Sequence, residues 1–201
     1  MKRIFQILTL ASAFAFYSCN EARREQDQDS NEVAEEANDE RFDDNAGMEK
    51  DADFVAEAVA SNYAEIKMAQ LAMQRSNNPQ IKEIAKMLEA DHTKTLNELK
   101  TLAQTKAITV PVEEKQEAKD KAKKLSEEKA ENFDEEWLDV MEDSHEKSIN
   151  RFEKKAENAE DADIKALATK TLPHLKMHKE KIEAADEQLK NSNNNESASK
   201  Q

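Results

Sequence analysis

Turn-forming residues are nearly missing from this chain: its 201 residues hold one glycine, Gly47, and three prolines, Pro79, Pro111 and Pro173. Phosphate loops and nucleophile elbows need closely spaced glycines, so neither is encoded. Aromatics make up 5% of the chain, and no segment alternates apolar with polar side chains, which leaves no candidate for a half-buried strand. The single cysteine, Cys19, excludes an intramolecular disulfide. The longest apolar run, from Ile4 to Tyr17, is too short to span a bilayer comfortably. Basic residues are outnumbered, and the net charge of −14 argues against nucleic acid as a partner. Histidine is scarce too: there are four, none within the first ninety residues. What is plentiful is charge, 37% of all residues, laid over apolar positions spaced three and four apart. The sequence predicts an all-α protein.

The N-terminus places Lys2 and Arg3 before the apolar run and Cys19 just after the small residue Ser18. A basic start, a short apolar stretch and a small residue form a secretory signal over 1–18. Cysteine at the cleavage point resembles the lipobox of bacterial lipoproteins, although Phe16 and Tyr17 depart from its usual aliphatic-then-small pattern. The expectation is lipidation of Cys19 and a membrane-anchored protein of the cell envelope, on the periplasmic face or the cell surface. Residues 20–50 carry twelve acidic against four basic residues and little apolar content, which predicts a disordered tether over 19–50 holding the domain about 30 Å from its anchor. The Asn- and Ser-rich end, 191–201, is expected to be disordered as well.

Between 51 and 190 the apolar stripes delimit helices. Phe54, Val55, Ala58, Ile66, Ala69 and Met73 share one face, up to the break at "SNNPQ". Asn78 is placed to cap the next helix with Pro79 in its first turn, and Ile81, Ile84, Leu88, Leu96, Leu99 and Ala103 follow. A thin line of Ala118, Ala122 and Leu125 marks a charged helical segment in the 2–3 connection. Asn132 with Glu135 reads as a capping box before Trp137, Met141, Ile149 and Phe152, and Asp161 or Asp163 can cap a last helix. Four helices with short breaks at 77–78 and 158–162 predict an antiparallel four-helix bundle.

Each stripe carries an ionisable intruder. His92 lies four residues from both Leu88 and Leu96; His145 lies four from both Met141 and Ile149. His178 follows Leu175 by three and precedes Ile182 by four, and Glu65 precedes Ala69 by four. Within each hairpin the pair lies at similar distances from the turn, so Glu65 shares a level with His92, and His145 with His178. Whether the two levels coincide depends on the long connection. A carboxylate with three imidazoles suits Zn, Fe, Mn or Cu ions. Glu89 and Glu142 stand three before His92 and His145, the spacing of ferritin-type di-metal ligands, but they flank their stripes. With His174, at the margin of its own stripe, they are candidates to support the ligands from behind. The alternative keeps the layer metal-free, with neutral histidines bonded to Glu65, Asn62 or Ser144 in a non-catalytic structural or protein-interaction module.

The segments "DADFVAEAVASNYAEIKMAQLA", "MLEADHTKTLNELKTLA", "NFDEEWLDVMEDSHEKSINRFEKKA" and "LATKTLPHLKMHKEKI" resemble a bacterial ferritin-like domain-of-unknown-function family labelled putative outer-membrane protein. The resemblance covers about residues 50–188. It implies a ferritin-like bundle in the cell envelope, and it singles out Glu65, His92 in its Asp-His pair, His145 and His178 in the L-P-x-L-x-x-H string. It implies no particular reaction.

Overall fold

A computed structural model describes residues 29–199. Among them are six helices and no strand: α1 Ser30–Phe42, α2 Ala46–Arg75, α3 Pro79–Lys106, α4 Gln116–Glu127, α5 Phe133–Asn158 and α6 Ala162–Ser199. The signal-like segment and Cys19 lie outside the described residues, and no described helix is long and apolar enough to cross a membrane.

Local chemistry sets the breaks. Asn78 caps α3 by accepting the Gln80 N–H at 2.9 Å, with Pro79 in the first turn. Asp161 caps α6 through the N–H groups of Asp163 and Ile164. At the end of α3 the chain turns at Ala107, whose φ of 56° is left-handed and which lets Ile108 bond back to the Ala103 carbonyl at 2.9 Å. The capping box expected at Asn132 and Glu135 is not made. Asn132 takes helical dihedrals, and its amide donates back to Glu128 at 3.1 Å instead of capping α5.

α2 packs along α3 and α5 along α6, while α2 also lies beside α5 and α3 beside α6. Trp137 donates to the Met68 carbonyl near one end of the bundle, and Lys155 reaches Asp51 at the other, so α5 runs antiparallel to α2. Contacts of Asp91 with His178, Glu98 with Lys170 and Lys106 with Asp161 run α3 antiparallel to α6 in the same way. Every neighbouring pair of the four long helices is therefore antiparallel, and the chain after α3 must climb the whole bundle before α5 can begin. α4 makes that climb, held to the bundle by buried Leu125.

One expectation is corrected. The acidic segment expected to be a disordered tether is helical from Ser30 onward, with Ala34 and Asn38 fully buried. Polar docking replaces the missing apolar surface: the Asn38 amide donates to the Thr109 carbonyl at 2.9 Å and accepts the Thr109 N–H at 2.8 Å. At the other end of the chain α6 runs to Ser199, into the Asn- and Ser-rich segment.

The core falls into two apolar blocks. One holds Met68, Leu88, Trp137, Met141 and Ile182; the other holds Val59, Leu96, Phe152, Ile164 and Leu175. Between them lies a polar layer.

Candidate metal centre

The four predicted intruders are the core of that layer. Glu65, His92, His145 and His178 are each no more than 4% exposed. The imidazoles form a triangle with ring centroids 5.3–5.5 Å apart, so the levels of the two hairpins coincide. One donor atom from each of His92, His145 and His178 lies within 4.8 Å of the others.

The hydrogen bonds of each ring fix which nitrogen carries the proton. The Asn62 amide N–H donates to the Ala58 carbonyl at 2.7 Å, which turns its oxygen toward His92 Nδ1 at 3.0 Å. That oxygen can only accept, so His92 Nδ1 is the N–H and Nε2 keeps its lone pair. His145 Nδ1 lies 2.8 Å from the Met141 carbonyl one turn earlier, again an acceptor, leaving Nε2 bare. His178 Nε2 donates to Asp91 at 2.9 Å, leaving Nδ1 bare. These three nitrogens, His92 Nε2, His145 Nε2 and His178 Nδ1, are all buried with no hydrogen-bond partner, and so is Glu65 Oε2. A buried acceptor left unmet costs about 1–3 kcal/mol, and a small domain seldom gathers several in one layer.

Water cannot easily stabilise a charge here. Burial holds His92 well below the ordinary imidazole range, and the neighbouring His145 and His178 push it further down. Burial lowers His178 as well, opposed by its bond to Asp91. A neutral imidazole with a free lone pair is the state that ligates a metal. An ion at about 2.0–2.1 Å from each nitrogen needs them about 3.3–3.5 Å apart, so donor atoms spread over as much as 4.8 Å would have to draw together. A carboxylate, an amide and a carbonyl behind the rings are the outer supports that imidazole ligands commonly use.

Glu65 sits at the edge of the triangle. Its Oε2 lies 3.9 Å from His92 Nε2 and 3.6 Å from His145 Nδ1, both beyond hydrogen-bond reach, while Oε1 accepts from the Ser144 hydroxyl. The other candidates lie elsewhere. Glu89 accepts from Gln70 at 2.7 Å and Glu142 faces Lys179 at 3.8 Å, both on the bundle surface. Neither supports the histidines, because each stands at the flank of its stripe. The paired Glu-x-x-His ligands of a di-metal centre are therefore not assembled. His174 is exposed and lines the mouth of a narrow cleft whose wall includes His92 and His178. The residue that does support the site from α3 is Asp91. Its position beside His92 was the available signal, but reaching α6 is a tertiary fact.

The fold and site define an all-helical bundle with a buried histidine triad set between two apolar blocks. The chain belongs to the family described as domain of unknown function DUF4142, whose model matches residues 36–185. That description does not support the ferritin-like part of the resemblance. No curated protein matches the chain significantly. Among solved structures, a DUF305 fragment from Deinococcus radiodurans is 12% identical with a TM-score of 0.61, covering 69% of this chain and 96% of its own. CopM in its Cu(II)-bound form is 20% identical with a TM-score of 0.59, covering 69% of this chain and 97% of its own. At these identities the likeness speaks to the helical fold alone.

Proposed function

We propose that the protein is an exported, lipid-anchored bundle that holds one first-row transition-metal ion on His92, His145 and His178, with Glu65 as the fourth group. The observation that carries this reading is the gathering of three buried imidazoles, each with one ring nitrogen that has no hydrogen-bond partner and the other bonded to an acceptor. A closed metal-free network would have used the bare nitrogens, yet His92 Nε2 stands 3.9 Å from Glu65 Oε2, and His145 Nε2 and His178 Nδ1 have no hydrogen-bond partner either. Imidazole sets favour Cu(II) or Zn(II), and Fe less strongly, whereas Mn(II) prefers oxygen ligands. The helical neighbour solved with Cu(II) accords with the first choice. Burial of the triad suits retention of an ion better than turnover of an organic substrate.

Metal analysis of the chain purified without a histidine tag tests the reading. The expected content after exposure to Cu(II) or Zn(II) is about one equivalent, abolished by His145→Leu. Less than about a tenth of an equivalent, under conditions where the fold is intact, overturns it.

The anchor rests on Lys2, Arg3, the apolar run to Tyr17 and Cys19. Cys19→Ala is expected to move the protein from the membrane fraction to the soluble one, since stable attachment depends on the acyl chains. Unchanged membrane recovery would remove the lipoprotein assignment.

A further inference from the structure

Two hollows approach the centre, and they differ in what they touch. The larger, about 350 Å³, lies under α4 and reaches Glu65, Met141 and Ser144, but none of the three histidines lines it. Its rim carries Lys115, Lys121, Lys147 and Arg151, each paired with Glu57, Glu117 or Asp143. The smaller is a cleft of about 40 Å³ between α3 and α6, and His92 and His178 are part of its wall. His174, one turn before His178, stands exposed at its mouth. Asp91 lies beside it, with a side chain 40% exposed and one oxygen bound to His178 at 2.9 Å. Two lysines also line the cleft: Lys170 is paired with Glu98 at 2.8 Å, which offsets its repulsion of a cation, and Lys94 is exposed, with its charge facing solvent.

On the metal-centre reading, we infer that the α3–α6 cleft is the entry route of the ion, and that His174 together with Asp91 captures it there before passing it to His92 and His178. The cleft has room for one or two water-sized groups, so a fully hydrated ion cannot enter. Its water ligands must be exchanged for protein ligands one at a time, and an exposed imidazole beside a carboxylate supplies the first two. Asp91 then connects the mouth to the interior, because the carboxylate that meets the arriving ion already holds the ring of His178.

A group that touches the ion only in transit lowers the barrier to entry and exit equally and leaves the equilibrium unchanged. His174→Ala therefore separates this role from that of a resident ligand. With Cu(II) alone as the probe, the full chain is mixed with metal in stopped flow, and release is followed after a competing chelator is added. The expected result is that both rates fall by about tenfold, with affinity and stoichiometry unchanged within about twofold. Unchanged rates in the variant would overturn the entry route while leaving the metal centre standing. A loss of affinity through faster release would overturn it too, by making His174 a resident ligand. Wild-type protein that takes up no Cu(II) would remove the metal centre itself, and the route with it.

Discussion

Among single residues, the pair Asn62–His92 is the most informative. Asn62 spends its N–H on the Ala58 carbonyl and its oxygen on His92, and both side chains are buried. His92→Leu removes one unmet ring nitrogen but leaves the Asn62 oxygen without its donor. A buried polar group stranded in this way costs about 1–3 kcal/mol, whereas replacing both partners by apolar groups is close to neutral. In metal-free buffer, His92→Leu is expected to lower stability by about 1–2 kcal/mol. The double variant Asn62→Leu/His92→Leu should recover most of that loss. Urea denaturation of the four species of the cycle checks it, and additive losses would show that the bond does not couple the two residues. The three histidines and Glu65 were legible from sequence because each interrupts an apolar stripe at helical spacing. Glu89 and Glu142 share the sequence spacing of metal ligands but lie off the stripe, and facing decided their fate. What periodicity could not give was the set of outer partners. Asp91 acts across to another helix, and Met141 acts through its backbone carbonyl, which leaves no mark on residue type.

At the scale of elements, the four long helices follow from their stripes and from Asn78, Pro79 and Asp161, whose capping roles are local and therefore readable. α1 does not follow, because it is held by two hydrogen bonds from one buried asparagine to Thr109, seventy-one positions away. Composition sees only an acidic segment poor in apolar residues, and it has no access to a partner so far along the chain. The same clasp makes α1 separable. Asn38→Ala leaves the Thr109 carbonyl and N–H without their partner, and beyond Ala34 the helix has only the partly buried Phe42 packed against the core to compensate. The expected outcome is faster amide exchange across residues 30–42, with α2, α3, α5 and α6 unaffected, and a global loss of no more than about 1–3 kcal/mol. Uniform destabilisation of every helix would mean that α1 is part of the cooperative core. The crossover is the other tertiary fact. The length of the 2–3 connection allowed α4 to exist, but only the antiparallel packing of α3 on α6 and of α2 on α5 requires it to travel the length of the bundle.

For the whole molecule, stability, pH and metal are linked through the same layer. His92 and His178 are held below the imidazole range by burial, while in the unfolded chain they titrate near about 6.5. As the pH falls through that value, the unfolded state takes up protons that the folded state refuses. The stabilisation from neutral burial is thus complete above about pH 6.5 and is lost on the acid side. Metal acts in the opposite direction, because it binds the assembled triad and not the unfolded chain. At about 100 times its dissociation constant an ion adds about 2.7 kcal/mol, which for a chain of this size is a rise in Tm of about 5–10 °C. Calorimetry of the untagged protein is therefore expected to show a metal-free Tm that declines between about pH 7.5 and 5.5, and a Cu(II) or Zn(II) increment of that size at the higher pH. In His145→Leu the increment should vanish while the fold persists, since a triad reduced to two imidazoles no longer encloses an ion. An equal increment in that variant would place the metal on surface carboxylates of this acidic chain and not between its two apolar blocks.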